Sequence, residues 1–267
     1  MKKVSTGIDG LDEILDGGIP EKSIILISGG PGSGKSIFCV QFLIAGINSG
    51  ENGVYVTFEE RIEKIKRNMK TFGWDLEKLE GMGKLGLLSL IPKRKTPLPQ
   101  KQYQVEKETQ PDGSLIAEAL GAPKSVFTVS EPFHIDTVTE IITEKVKKTR
   151  AKRIVIDSLS SLELQISDDF IIRQELLGLF NLLEDLGCTT LVTTEMPYGS
   201  DKISRFGIEE FMTEGVIVLY NFRHNDKRMR AIEVLKMRGM KFREGLFPLK
   251  ITDKGIVVFP EEKVFGA

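Results

Sequence analysis

The chain has 267 residues, enough for one large α/β domain or two small ones, and its 40% hydrophobic and 28% charged residues suit a globular protein with a sizeable core. A formal net charge of -1 excludes a global polybasic address for nucleic acid or anionic membrane, and no apolar run approaches the ~20 residues of a membrane-spanning helix. The opening MKKVSTGIDG has two lysines but no following apolar stretch of signal-peptide length, so a cytoplasmic protein is expected.

Along the chain, SIILISG (residues 23–29) is a short isoleucine-rich run that predicts a buried parallel strand. After a glycine loop, KSIFCVQFLIAGINSG predicts a helix that stops at Gly50. GVYVTFEE (residues 53–60) predicts the next strand, and RIEKIKRNMKTFG a helix with Ile62, Ile65 and Met69 at helical spacing. KLGLLSLIP predicts a third strand. The alternation then breaks over residues 92–132, a stretch rich in proline, lysine and glutamate, which is expected to be an insertion or flexible segment. It resumes with a helix in DTVTEIITEKVKKTR, a strand in KRIVIDS, a helix in DDFIIRQELLGLFNLLEDLG and a strand in CTTLVTTE. The end of the chain predicts a hairpin, GVIVLYNFRHNDKRMRAIEVLKMRG, and two short strands, FPLKIT and GIVVFP, turning at residues 253–255. Without an internal repeat, the expectation is one α/β domain over residues 1–267 with an antiparallel end.

The glycine loop carries the first chemistry. Gly29 and the run Gly34-Lys35-Ser36 satisfy G-x-x-x-x-G-K-[ST], the Walker A pattern, between a predicted strand and a predicted helix. Gly30, Pro31, Gly32, Ser33, Gly34, Lys35, Ser36 and Ile37 are the expected phosphate-binding residues. Backbone N–H groups and the helix N-terminus would cradle the phosphates, Lys35 would reach the β- and γ-phosphates, and Ser36 would sit on Mg²⁺. Asp157, at the end of the apolar run RIVID, is the expected acidic partner of the metal. Glu59 and Glu60 are candidates to activate water, because they follow a strand whose carboxyl end would face the nucleotide. Adjacent strand residues point to opposite faces, so one of the two is expected to act directly; an acidic start to the following helix is the plainer explanation. The two cysteines, Cys39 and Cys188, lie in apolar segments and are expected to be buried thiols. His134 and His224 have no partners at metal-ligand spacing, so no zinc site is expected.

The segments STGIDGLDEILDGGIPEKSIILISGGPGSGKS, GVYVTFEE, MKTFGWDLEKLE, RIVIDSLSSL, LVTTE and EVLKMRG…PLKITDKGIVVF resemble, in order, the KaiC-type branch of the RecA superfamily. The resemblance covers nearly the whole chain outside residues 92–132. It implies a RecA-like P-loop NTPase core, a mainly parallel sheet flanked by helices with a C-terminal antiparallel extension. It also implies ATP (and product ADP) with Mg²⁺, and a homohexameric ring with nucleotides between subunits. Glu59 then becomes the water-activating carboxylate, with Glu60 beside it. Lys236, Met237 and Arg238 match residues that a neighbouring subunit extends to the γ-phosphate, and Thr194-Glu195 match a γ-phosphate sensor. From the residues alone, KMRG is an ordinary exposed strand end.

KaiC-type clock proteins carry two such domains, so the full clock function does not follow for this chain. The expected activity is ATP hydrolysis in a regulatory or signalling role, coupled to an unidentified protein partner. Autophosphorylation is disfavoured, because Glu210 and Phe211 stand where the phosphorylated half of the clock protein has hydroxyls; Thr213 and Ser204 are the nearby alternatives. DNA binding as in recombination ATPases is the other alternative. It is disfavoured by Glu163, Asp168 and Asp169 in one of the expected loops (residues 160–169), while the other (residues 197–207) offers Lys202 and Arg205.

Overall fold

The computed structural model describes residues 2–91, 135–164, 166, 168–197, 202–224 and 226–264. The expected insertion, residues 92–132, lies outside them. A short ribbon, β1 (Lys3–Val4) with β2 (Ile19–Pro20), brackets helix α1 (Leu11–Ile14). β3 (Ile24–Gly29) leads into α2 (Lys35–Asn48), followed by β4 (Asn52–Thr57), α3 (Ile62–Lys70), α4 (Leu76–Gly81) and β5 (Leu85–Ser89). The chain continues as α5 (Ile135–Thr149), β6 (Ala151–Asp157), a 3₁₀ segment (Leu159–Leu164), α6 (Asp169–Asp185), β7 (Thr189–Glu195) and α7 (Glu209–Met212). β8 (Gly215–His224), β9 (Lys227–Met237), β10 (Leu246–Thr252) and β11 (Gly255–Val258) close it.

The main sheet has nine strands in the order β11-β10-β9-β8-β3-β7-β6-β4-β5. β8, β3, β7, β6, β4 and β5 run parallel, and β9 to β11 add the antiparallel end. Alternating strand residues separate two apolar layers, as a sheet buried on both faces requires. Tyr55 and Val155 pack with Phe38, Cys39, Phe42, Ile65 and Met69 of α2 and α3. Val54, Val56, Ile154 and Ile156 pack on the other face with Val138, Ile142, Leu176 and Phe180 of α5 and α6.

The middle of α2 is buried, and the Gln41 side chain within it is fully used. Gln41 donates to the carbonyls of Gly7 and Ile256 and accepts from the Ile256 N–H at 2.7 Å, tying the helix to β11.

One expected boundary is corrected. The strand predicted to run to Glu60 ends at Thr57, because the Thr57 Oγ1 accepts the N–H groups of Glu59 (3.1 Å) and Glu60 (3.0 Å) and turns the chain. The two glutamates therefore occupy a turn, and the strand alternation does not govern where they point.

Candidate functional site

The parallel strands align their carboxyl ends. Gly29 of β3 is level with Glu195 of β7, and Thr57 of β4 with Asp157 of β6. The glycine loop leaves β3 there and opens α2 at Gly34, whose φ of +110° is a left-handed conformation suited to glycine. A Cβ on Gly29 would come within 2.6 Å of both the Leu219 carbonyl and the Ser33 Oγ, so the loop can pass so close to β8 only with glycine there. β8 and β9 brace its outer side: Asn221 donates to the Pro31 carbonyl at 3.2 Å and Arg230 to the Gly32 carbonyl at 3.1 Å.

A cleft of about 430 Å³ opens over this loop, lined by Gly30, Gly32 and Ser33 to Ile37, by Asp157, Glu59 and Glu60, and by one side of α3. The Lys35 Nζ lies on the Gly29 carbonyl at 2.6 Å. The Ser33 Oγ is buried without a hydrogen-bond partner among the described residues, which fits a loop built to close around an anion.

Asp157 is 7% exposed and satisfied by hydroxyls from three elements. Its Oδ2 accepts Ser36 (2.8 Å) and Tyr55 (2.5 Å), and its Oδ1 accepts Thr193 (2.6 Å). Burial, reinforced by the Asp157 charge, pushes the Tyr55 phenol well above its usual range, so it stays a proton donor. The same two causes, in the same order, raise the Cys39 thiol. A hydroxyl beside a carboxylate is the oxygen donor set that a hard divalent cation such as Mg²⁺ takes.

The glutamates separate clearly. The Glu59 Oε1 accepts Ser158 Oγ (2.5 Å) and Ser161 Oγ (3.0 Å), so the segment after Asp157 holds it beside the Asp157 carboxylate. Both hydroxyls go to one oxygen, Oε1. Glu60 instead pairs with Lys64 of α3 at 2.5 Å, with both side chains partly exposed.

Lys236 and Arg238 are not at this cleft. Met237 is paired with Gly215, which is level with Ile25, four residues before Gly29. At about 3.3 Å per residue and about 4.8 Å between strands, that lies roughly 13 Å along the sheet and two strands across from the glycine loop. There the Lys236 Nζ donates to the carbonyls of Glu210 (2.8 Å) and Thr213 (2.5 Å), and Arg238 to that of Phe211 (3.5 Å). Burial, and then the Arg238 charge, lowers the Lys236 pKa. Thr194 is buried and donates to Glu209, whereas the backbone of Glu195 is level with the loop.

Sequence reasoning missed Tyr55, Thr193, Ser158, Ser161, Asn221, Arg230 and Glu209. The hydroxyl-rich run directly after Asp157, DSLSS, was the available signal for the two serines. Cys39 and Cys188 are buried free thiols, as expected, and no helix among the described residues is long and apolar enough to cross a membrane.

A mainly parallel sheet in this order, with a Walker loop, a buried aspartate and a serine-held glutamate at its carboxyl edge, defines a P-loop nucleotide-binding protein with a RecA-like core. The family model "ATPase: KaiC" matches residues 4–263, and the chain belongs to this family. It is 37% identical to the circadian clock protein KaiC3 of Synechocystis sp., over 97% of this chain but 46% of that protein. It is also 37% identical to the circadian clock oscillator protein KaiC of Synechococcus elongatus, over 97% of this chain and 44% of the relative. The chain thus spans less than half the length of these clock proteins. A UPF0273 protein of Thermotoga maritima is 36% identical over 98% of both chains. The crystal structure of a KaiC-like protein from Pyrococcus horikoshii OT3 superposes with a TM-score of 0.77 at 35% identity, covering 97% of this chain and 99% of that one.

Proposed function

We propose that the chain is a single KaiC-type domain that hydrolyses ATP at subunit interfaces of a homohexameric ring, in a regulatory role exercised through a protein partner. The observation that carries this reading is the separation within one chain of the glycine loop, Asp157 and Glu59 from Lys236 and Arg238, at opposite edges of one sheet. An arginine side chain spans about 7 Å, well short of the gap estimated from strand geometry. The two cations, in this reading, serve a neighbour's phosphate.

In this reading the glycine-loop backbone and Lys35 bind the triphosphate. Ser36 and Asp157 hold Mg²⁺, which when bound neutralises charge on the phosphate oxygens. Glu59 accepts the proton of the attacking water at Oε2 while Ser158 and Ser161 fix Oε1. Glu60, engaged by Lys64, lies in the turn before α3. The neighbour's Lys236 and Arg238 stabilise charge on the transferring phosphoryl group.

The two alternatives lose support in particular contacts. Thr213 and Ser204 are both fully buried, which disfavours them as phosphate acceptors. Arg205, a cation of one expected DNA loop, is paired with Glu163 of the other at 2.6 Å, so its charge is already met.

Light scattering after size exclusion, with and without Mg-ATP, alongside phosphate release with and without single-stranded DNA, tests the reading. A multimer in Mg-ATP that releases phosphate, unaffected by DNA and silenced by Lys35→Ala, is expected. A monomer that hydrolyses ATP, or DNA-stimulated turnover, overturns it.

Tyr55→Phe removes one of the three donors on Asp157. It should weaken Mn²⁺ binding to the ADP-bound protein about tenfold, as loss of a partner behind a metal ligand does. Electron paramagnetic resonance titration of Mn²⁺ reads this directly, and unchanged affinity would mean that the phenol has no part in orienting the carboxylate.

A further inference from the structure

A glutamate in the interior, Glu209, has no part in the cleft and yet is wholly buried. Its Oε1 accepts the Thr194 hydroxyl (2.9 Å) and the Phe206 N–H (3.2 Å), and its Oε2 accepts the Ile208 N–H (3.1 Å). The Thr194 hydroxyl in turn accepts the Arg205 N–H at 3.2 Å, and the Thr213 hydroxyl donates to the Glu209 carbonyl at 3.2 Å. Burying a carboxylate is costly unless donors surround it, and here three of them fix its position and orientation.

The backbone that follows Glu209 is the strip on which Lys236 and Arg238 rest. The carbonyls of Glu210 and Thr213 take two of the three Nζ donors of Lys236, and that of Phe211 takes an Nη2 donor of Arg238. The far end of the strip is fixed too: the Glu214 N–H donates to the Ile24 carbonyl, and its carboxylate accepts the Ile24 N–H at 2.7 Å. Glu209 anchors the near end to β7 through Thr194, the neighbour of Glu195 at the level of the glycine loop.

We propose that Glu209 is a positioning residue for hydrolysis at the neighbouring subunit's nucleotide: held by Thr194, it fixes the backbone strip from which Lys236 and Arg238 reach across the interface. This inference rests on the reading that the site is completed in trans. A shift of about 1 Å in such groups is enough to cost about a hundredfold in rate, so an anchor of this kind acts on turnover rather than on nucleotide affinity.

The test is Glu209→Gln, which keeps the size of the side chain but sets an amide N–H against the Ile208 N–H in one amide orientation and against the Phe206 N–H in the other. Turnover should fall about tenfold or more while ATP affinity, from calorimetry, changes less than twofold. The same substitution should add nothing in a background that carries both Lys236→Ala and Arg238→Ala, because the groups it positions are gone.

Mixed rings give the readout that a merely structural role would not move. Glu209→Gln subunits have an intact glycine loop, and Lys35→Ala subunits have an intact Glu209, Lys236 and Arg238. Mixing the two should restore normal turnover at loops that face a Lys35→Ala neighbour. No recovery means that Glu209 serves its own site, and this overturns the inference; so does unchanged turnover of the single variant. Should Glu209→Gln not fold, Thr194→Val takes its place with the same two outcomes. Failure of an Arg238→Ala and Lys35→Ala mixture to recover would instead overturn the trans reading itself, so the two failures are distinct.

Discussion

Glu59→Gln should slow phosphate release about a hundredfold or more while leaving ATP affinity nearly unchanged, in line with typical losses of a general base. The amide keeps an oxygen to accept from Ser158 and Ser161, so the side chain stays in place and the proton acceptor alone is lost. Glu60→Gln is the matched control. Its carboxylate engages Lys64 four residues on in a partly exposed pair, an interaction of about 0.3–0.5 kcal/mol, and turnover should change less than twofold. Single-turnover phosphate release separates the two. If Glu60→Gln is the slow variant, the roles are exchanged; if neither is slow, the carboxylates are structural.

Arg238→Ala should cut turnover about a thousandfold, the lower end of what an arginine finger contributes, and again spare affinity. The backbone N–H of Arg238 still donates to the Glu214 carbonyl after the substitution, so the strand end is preserved. Arg238→Ala subunits keep a working glycine loop and Lys35→Ala subunits keep a working arginine. Each preparation is nearly inactive alone. Mixed, they form some interfaces with both parts intact, and recovered phosphate release is expected. No recovery, with a monomeric mass in ATP, means that one chain builds the whole site.

The regular elements were legible because each is written in adjacent residues. β3, α2, β6, β7 and the β8–β9 hairpin follow from short apolar runs with turn residues at their ends, and the Walker loop from a spacing that serves one chemistry. The six-residue α4 went unseen, although Asp75 caps it by accepting the Lys78 N–H, because so short a helix has no periodicity to read. The end of β4 was misplaced because a local threonine hydroxyl, which no apolar pattern reveals, captured two N–H groups. Ser36 and Tyr55 lie 121 and 102 positions from Asp157, so only the sheet order brings them together. As part of VYVT, Tyr55 is simply a good strand residue. The burial of Glu209 against Thr194 likewise belongs to the tertiary fold.

The distance between Arg238 and the glycine loop has a consequence for the life of the chain before it meets its neighbours. On the proposed reading, a subunit apart from its neighbours would hold ATP but miss the cations that speed its cleavage. Isolated copies would then store nucleotide rather than spend it, and assembly itself would be the start signal. A protein that caps one face of a subunit would silence a neighbour's site without ever touching the nucleotide.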